Sequence, residues 1–180
     1  LFTDAGVLHQ VKVTDIPLGK LRDKGTPIDN LCKFDGTKEQ TVFVTNASSL
    51  QGKLFLFATR DAMLKRVPGE EFETNNRMVA ATKLQEGDSL VSVQPADEAS
   101  EVVLQTDNGV FLRFAMDEIS VQKKNARGVR GIKLGRGEAL EQVYLLGANT
   151  ESVITYKEKQ VHLNGLKQRR RNGKGNKVRL

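Results

Sequence analysis

The feature that most constrains this chain is that it repeats itself. Four segments align: Leu1–Leu8, Phe57–Leu64, Leu104–Phe111 and Val153–Val161, with threonines at 3, 59, 106 and 155. A period near 50 residues limits the fold to arrays in which each unit buries its apolar face against its neighbours. Each segment reads as strand, tight turn, strand. Asn108-Gly109 is the strongest turn signal, and a two-residue type I′ hairpin there needs positive φ at both positions. The returning strands alternate as half-buried strands do, with Val7, Val11 and Val13 on one face, Val110, Leu112 and Phe114 on another, and Val161 with Leu163.

About 30 residues after the threonine in the first three repeats, a Gly-centred turn precedes a second β-rich run. These are Asp35-Gly36 before Thr41–Val44, Glu86-Gly87 before Leu90–Val93, and Arg136-Gly137 before Val143–Leu146. Only short helical stretches fit, around Met116–Ile119 and Pro68–Phe72. Roughly four short strands per repeat predict an all-β, propeller-like array of four-stranded antiparallel blades. The repeats are read as 1–53, 54–100, 101–150 and 151–180, the last incomplete, so that residues 1–180 form one fragment of a partial disc with about three and a half repeats.

Charge is placed unevenly along this frame. The formal net charge is +6, yet residues 157–180 carry nine basic side chains against the single acid Glu158. A second basic run, Lys123 to Arg136, contains no acid. Both runs overlap the connector between a hairpin and the next strand pair. The connectors are Lys24–Leu31, Asn76–Leu84, Ala126–Leu134 and Gln168–Leu180, and the last two interleave glycine with Arg and Lys. Glycine lets a backbone approach another surface closely, and Arg and Lys neutralise phosphates. Repeated around a ring, such connectors lay basic patches along one rim, and double-stranded DNA is the expected partner.

Ala126-Arg127-Gly128-Val129-Arg130-Gly131-Ile132-Lys133-Leu134, the Gly turn and Glu138 after it, and the hairpins at Thr3 and Thr106 resemble the C-terminal domain of bacterial type IIA topoisomerase A subunits. That family comprises the A subunits of gyrase and of topoisomerase IV. The resemblance implies a β-pinwheel whose blades exchange strands and whose basic outer rim bends DNA without catalysing a reaction. It also implies that ATP and Mg2+, the A-subunit dimer and the B subunit belong to other parts of a cytoplasmic, nucleoid-associated isomerase, and that the fragment is monomeric. Residues 168–175 resemble the Gln-Arg-Arg-Gly-Gly-Lys-Gly box of gyrase A subunits, but Arg171-Asn172 stands where one glycine is expected. The box is degenerate, which leaves gyrase and topoisomerase IV open.

The expected DNA contacts are Lys123, Lys124, Arg127, Arg130 and Lys133 in one connector and Arg169, Arg170, Arg171, Lys174, Lys177 and Arg179 in the next. Arg77 of the second connector joins them, as do Lys65, Arg66 and Arg113, which alternation turns outward just past their hairpins. The acids Glu70, Glu71, Asp97 and Glu98 are expected away from that rim, since phosphate repels them.

No catalytic or metal site is read. Tyr144 and Tyr156 lie in β-rich runs without an Arg partner or an acidic metal cluster nearby, and Asp107 in Asp-Asn-Gly is turn chemistry. His9 and His162 lack a third ligand, and Cys32 reads as an inert thiol. There is no Gly-x-x-x-x-Gly-Lys-Ser/Thr loop and no apolar run long enough for a membrane helix. The rival reading is a protein-binding propeller with a solvated basic tail.

Overall fold

The computed structural model describes residues 1–148 and 151–178. Its strands are β1 (Phe2–Thr3), β2 (Val7–His9), β3 (Thr41–Phe43), β4 (Leu54–Thr59), β5 (Met63–Pro68), β6 (Met78–Ala80) and β7 (Leu90–Pro95). They continue with β8 (Ala99–Thr106), β9 (Val110–Ala115), β10 (Val129–Arg130), β11 (Leu140–Gly147), β12 (Val153–Tyr156), β13 (Lys159–His162) and β14 (Asn176–Lys177). Three four-stranded antiparallel sheets have the orders β3-β1-β2-β6, β10-β5-β4-β7 and β11-β8-β9-β14, and β12 pairs with β13. The chain is all-β, as the repeat predicts.

Each of the first three hairpins pairs with the later strand of its own repeat on one side and with a strand of the next repeat on the other. Thus β6 leaves the second repeat to pair with β2, β10 leaves the third to pair with β5, and β14 leaves the fourth to pair with β9. The exported strand is the middle of the connector. It covers an edge that would otherwise present unpaired N–H and C=O groups. At the opposite edge β3 lies against β7 and β7 against β11, so these strands form the inner side and the connectors the outer one.

The core sits between blades. On β4, Phe55 and Phe57 pack with Phe2, Leu8 and Phe72, while Leu56 and Ala58 pack with Val102, Leu104 and Phe114. On β8, Val103 turns the other way, to Phe111, Leu146 and Val161. Both faces of a central strand are therefore buried, which explains the continuous apolar run Leu54–Ala58. It also corrects the half-buried expectation: Phe111 and Leu112 are adjacent, face opposite ways and are both buried. Strand β2 ends at His9, short of the predicted face, because the chain turns at Val13–Asp15, leaving Val13 exposed. The expected helical stretches are the single 3-10 turns Gly69–Phe72 and Met116–Glu118, and matching turns occur at Val13–Asp15 and Leu163–Gly165.

The hairpins also differ from the expected type. Between β8 and β9 only Gly109 has positive φ (+72°), so the loop has three residues closed by one left-handed position rather than a type I′ pair. Gly109 N–H donates to Thr106 O, and the Thr106 hydroxyl accepts from Val110 N–H at 3.1 Å. Two consecutive positive-φ residues occur instead at Lys157 and Glu158. The repeating threonine thus caps its own turn, with Thr59 accepting from Met63 N–H in the same way.

Candidate nucleic-acid interface

The connectors lie flat on the returning strands because glycine removes a clash. A Cβ on Gly128 would sit 2.6 Å from Leu64 O, and one on Gly175 would sit 2.7 Å from Phe111 O. Leu64 and Phe111 hold the same place in their blades, so these two glycines, both at positive φ, solve the same problem twice. The third and fourth connectors then run side by side. Asn172 N–H donates to Gly131 O at 2.6 Å and Lys133 N–H to Gly173 O at 2.9 Å.

Along this paired strip Lys123, Arg127, Arg130 and Lys133 are exposed on one connector, and Arg169, Arg170, Lys174 and Lys177 on the other. None of these eight side chains has an ionic or hydrogen-bond partner among the described residues. Arg136, outside the predicted set, is exposed beside them. Arg179 lies outside the described residues.

The remaining predicted contacts are tied down. Lys65 was expected to point outward, yet it is 3% exposed. Its ammonium donates to Lys124 O and, at 2.8 Å, to Ala126 O, while lying 5.9 Å from the centre of the Phe57 ring. Burial lowers its pKa to about 8, against a smaller opposing pull from Glu71. Arg113 pairs with Glu101 at 2.6 Å and donates to Asn164 O and, at 3.0 Å, to Leu166 O. Arg66 holds the matching place one blade earlier and donates from Nε to Ile119 O at 2.6 Å. The physical reason is the two-sided burial of the blade. A side chain that alternation turns away from one core meets the neighbouring connector, whose carbonyls need donors.

Lys124, Arg171 and Arg77 are anchored from the connectors themselves. Lys124 Nζ donates to Glu71 O at 2.9 Å, and Arg77 pairs with Asp15 at 3.1 Å. Arg171 donates from Nε to Glu118 O at 3.0 Å and from Nη1 to Arg130 O at 2.7 Å. Glu71 departs from its predicted position: it lies against the third connector, where its carboxylate accepts from Lys124 N–H at 3.4 Å. Glu70 and Asp97 accept from the backbone N–H of Gly52 and Leu54.

The clasping role of Arg66 and Arg113 was missed, although a signal existed, because both stand seven residues after their repeat threonine. The residues set aside as structural have structural surroundings. Tyr144 Oη bonds Gln105 Oε1 at 2.8 Å, and its pKa is raised by burial and then by Glu141. Tyr156 packs edge-on against Phe111, and Asp107 accepts from Ala139 N–H at 3.1 Å. Among the described residues no cluster of three metal-ligating side chains occurs, and no helix is long and apolar enough to cross a membrane.

Blades joined by exported strands, with glycine-spaced basic connectors on the outer edge, define a β-pinwheel. The chain matches the family described as DNA gyrase C-terminal domain, beta-propeller, over residues 53–97 and 100–146. It is 33% identical over 147 residues to the DNA gyrase A subunit of Lawsonia intracellularis, covering 81% of this chain and 18% of that protein. It is 31% identical over 141 residues to the A subunit of Chlamydia muridarum gyrase, covering 77% and 17%. A crystal structure of the C-terminal domain of DNA topoisomerase IV superposes with a TM-score of 0.87 at 25% identity, covering 98% of this chain and 57% of that one. The DNA gyrase A C-terminal domain superposes at 0.72 and 17% identity, a likeness of fold alone, covering 97% and 57%. The chain belongs to the C-terminal β-pinwheel domain family of DNA gyrase and topoisomerase IV A subunits. It spans about a fifth of the length of the curated relatives it matches.

Proposed function

We propose that this domain binds duplex DNA along its outer edge and bends it, as a non-catalytic module of a type II topoisomerase A subunit. The observation that carries the reading is the strip of eight exposed cations, without a partner among the described residues, on two adjoining connectors. Residues 1–180 act as one unit of about three and a half successive repeats, the last incomplete. ATP and Mg2+ chemistry, the A-subunit dimer and the B subunit belong to other parts of the cytoplasmic enzyme that changes DNA topology. Affinity comes from phosphate contacts, and sequence enters through bendability. Bending 20–30 base pairs by 40–90° costs on the order of 1–6 kcal/mol, which several Arg– and Lys–phosphate contacts offset.

The test is binding to an end-labelled duplex of about 40 base pairs, read by anisotropy and energy transfer across a salt series. Each phosphate contact contributes about 0.9 to the slope of log affinity against log salt. Arg127→Glu with Arg130→Glu therefore lowers the slope by roughly 2 and the affinity with it. Binding unchanged by this pair, or duplex ends that stay apart, refutes the rim and favours a protein-binding propeller.

A further inference from the structure

In each of the first three blades an acidic residue of the 3-10 turn after the hairpin bonds a basic residue of the next connector, as an ion pair in the first and through backbone groups in the other two. In the first blade Asp15, in the 3-10 turn after the hairpin, pairs with Arg77 of the second connector. In the second blade Glu71, in the corresponding turn, accepts from Lys124 N–H, and its own carbonyl accepts from Lys124 Nζ. In the third blade Glu118 Oε2 accepts from Arg171 N–H at 2.9 Å, and Glu118 O accepts from Arg171 Nε at 3.0 Å. Glu71 and Glu118 make the same two bonds to the residue that follows two after Gln122 and Arg169, the positions at which each connector bonds the clasping arginine's carbonyl. Arg171 adds the bond to Arg130 O that ties the fourth connector to the third. Asn172, at φ +63°, turns its N–H onto Gly131 O immediately after. The residue that makes the box one too long is thus part of a stitch between two connectors.

We propose that Lys124 and Arg171, with Glu71 and Glu118, are latches that fix the height and spacing of the connectors, so that Arg171 positions the phosphate-binding cations without touching phosphate itself. The inference rests on the proposed DNA-binding function and adds to it a division of labour among cations of one strip. It reverses a simple electrostatic expectation. Removing an acid from a DNA-binding edge strengthens binding if only net charge matters, whereas removing a latch weakens it.

The experiment compares Glu118→Ala, Glu118→Gln and Arg171→Ala in the 180-residue chain, using the same labelled duplex and salt series. Glutamine keeps an acceptor for Arg171 N–H while losing the charge, and alanine loses both. The latch predicts that Glu118→Ala binds about fivefold more weakly than Glu118→Gln and brings the duplex ends less close. It predicts that Arg171→Ala weakens binding with its salt slope unchanged. A Glu118→Ala variant that binds as tightly as Glu118→Gln, or an Arg171→Ala slope lower by about 0.9, overturns the proposal. Amide hydrogen exchange supplies a readout independent of DNA. Glu118→Ala speeds exchange at Arg171 and Asn172 if the latch holds the connector, and unchanged protection there refutes it even if the wild type fails to bend DNA. Urea unfolding of each variant separates loss of the latch from loss of the fold.

Discussion

Arg113→Met is the sharpest test of the assignment that turns an expected DNA contact into a structural clasp. Arg113 and Glu101 are each 17% exposed and meet at 2.6 Å, and the guanidinium also reaches two carbonyls of the fourth repeat. Methionine keeps the apolar stem and leaves Glu101 with a desolvated, uncompensated charge. Breaking a fully buried pair this way costs about 3–5 kcal/mol, and residual exposure reduces that to about 2–4 kcal/mol here. For a chain of this length each kcal/mol shifts Tm by roughly 2–4 °C, so a loss on the order of 4–16 °C is expected. Arg66→Met, which removes one bond to Ile119 O and no ion pair, costs about 1–2 kcal/mol and calibrates the scale. Urea unfolding at neutral pH, with m compared between variants, measures both. Glu101→Leu in the Arg113→Met background recovers part of the loss, because an apolar pair carries no desolvation penalty. A loss below about 0.5 kcal/mol for Arg113→Met, together with weaker DNA binding, refutes the clasp and restores the outward arginine.

Two further outcomes are expected. Gly109→Ala destabilises by about 2 kcal/mol or more, since it places a side chain at φ +72° and its Cβ overlaps the Tyr156 hydroxyl; the near-UV signal of Tyr156 changes with it, and an unchanged unfolding midpoint sinks the argument. Lys65 has its pKa lowered from 10.5 to about 8 in the folded chain, so between those values the unfolded chain holds more protons and the stability contributed by this group rises with pH. Denaturation midpoints measured from pH 8 to 10.5 therefore climb in the wild type relative to Lys65→Met, and parallel curves for the two proteins count against a Lys65 pKa lowered by burial.

The repeat, the sheet class and the two basic connectors were legible in the sequence because they are periodic. What alternation could not supply was the destination of individual side chains. It assumes one buried face per strand, and here both faces of β5 and β9 meet protein, so Lys65 and Arg113 fall inward for the same reason that Leu64 and Leu112 do. The export of β6, β10 and β14 is a long-range pairing with no local signal beyond the glycines at 128 and 175. Likewise the predicted face through Val11 and Val13 failed because a 3-10 turn interrupts it; the signal available was the acid that stands twelve residues after the threonine in the first three repeats, at Asp15, Glu71 and Glu118.

Strand exchange explains why one residue type does two jobs on this edge. A connector laid on a sheet edge satisfies part of its backbone through the ladder, but the stretch leading into it runs outside regular pairing. The carbonyls of Ile119, Lys124, Ala126, Asn164 and Leu166 are all met by an Arg or Lys side chain. Long cationic side chains are the donors able to reach a neighbouring connector from the strand beneath it. Cations on the strand side or at the turn contacts are consumed by this need, and those displaced by a few residues along the same connector stay free. The free set and the consumed set are therefore interleaved in sequence but differ in burial, the free cations being exposed and Lys65, Arg66, Arg113, Lys124 and Arg171 wholly or partly covered. Charge reversal in the first weakens DNA binding at constant stability, and removal of Lys65 or Arg113 from the second lowers stability first.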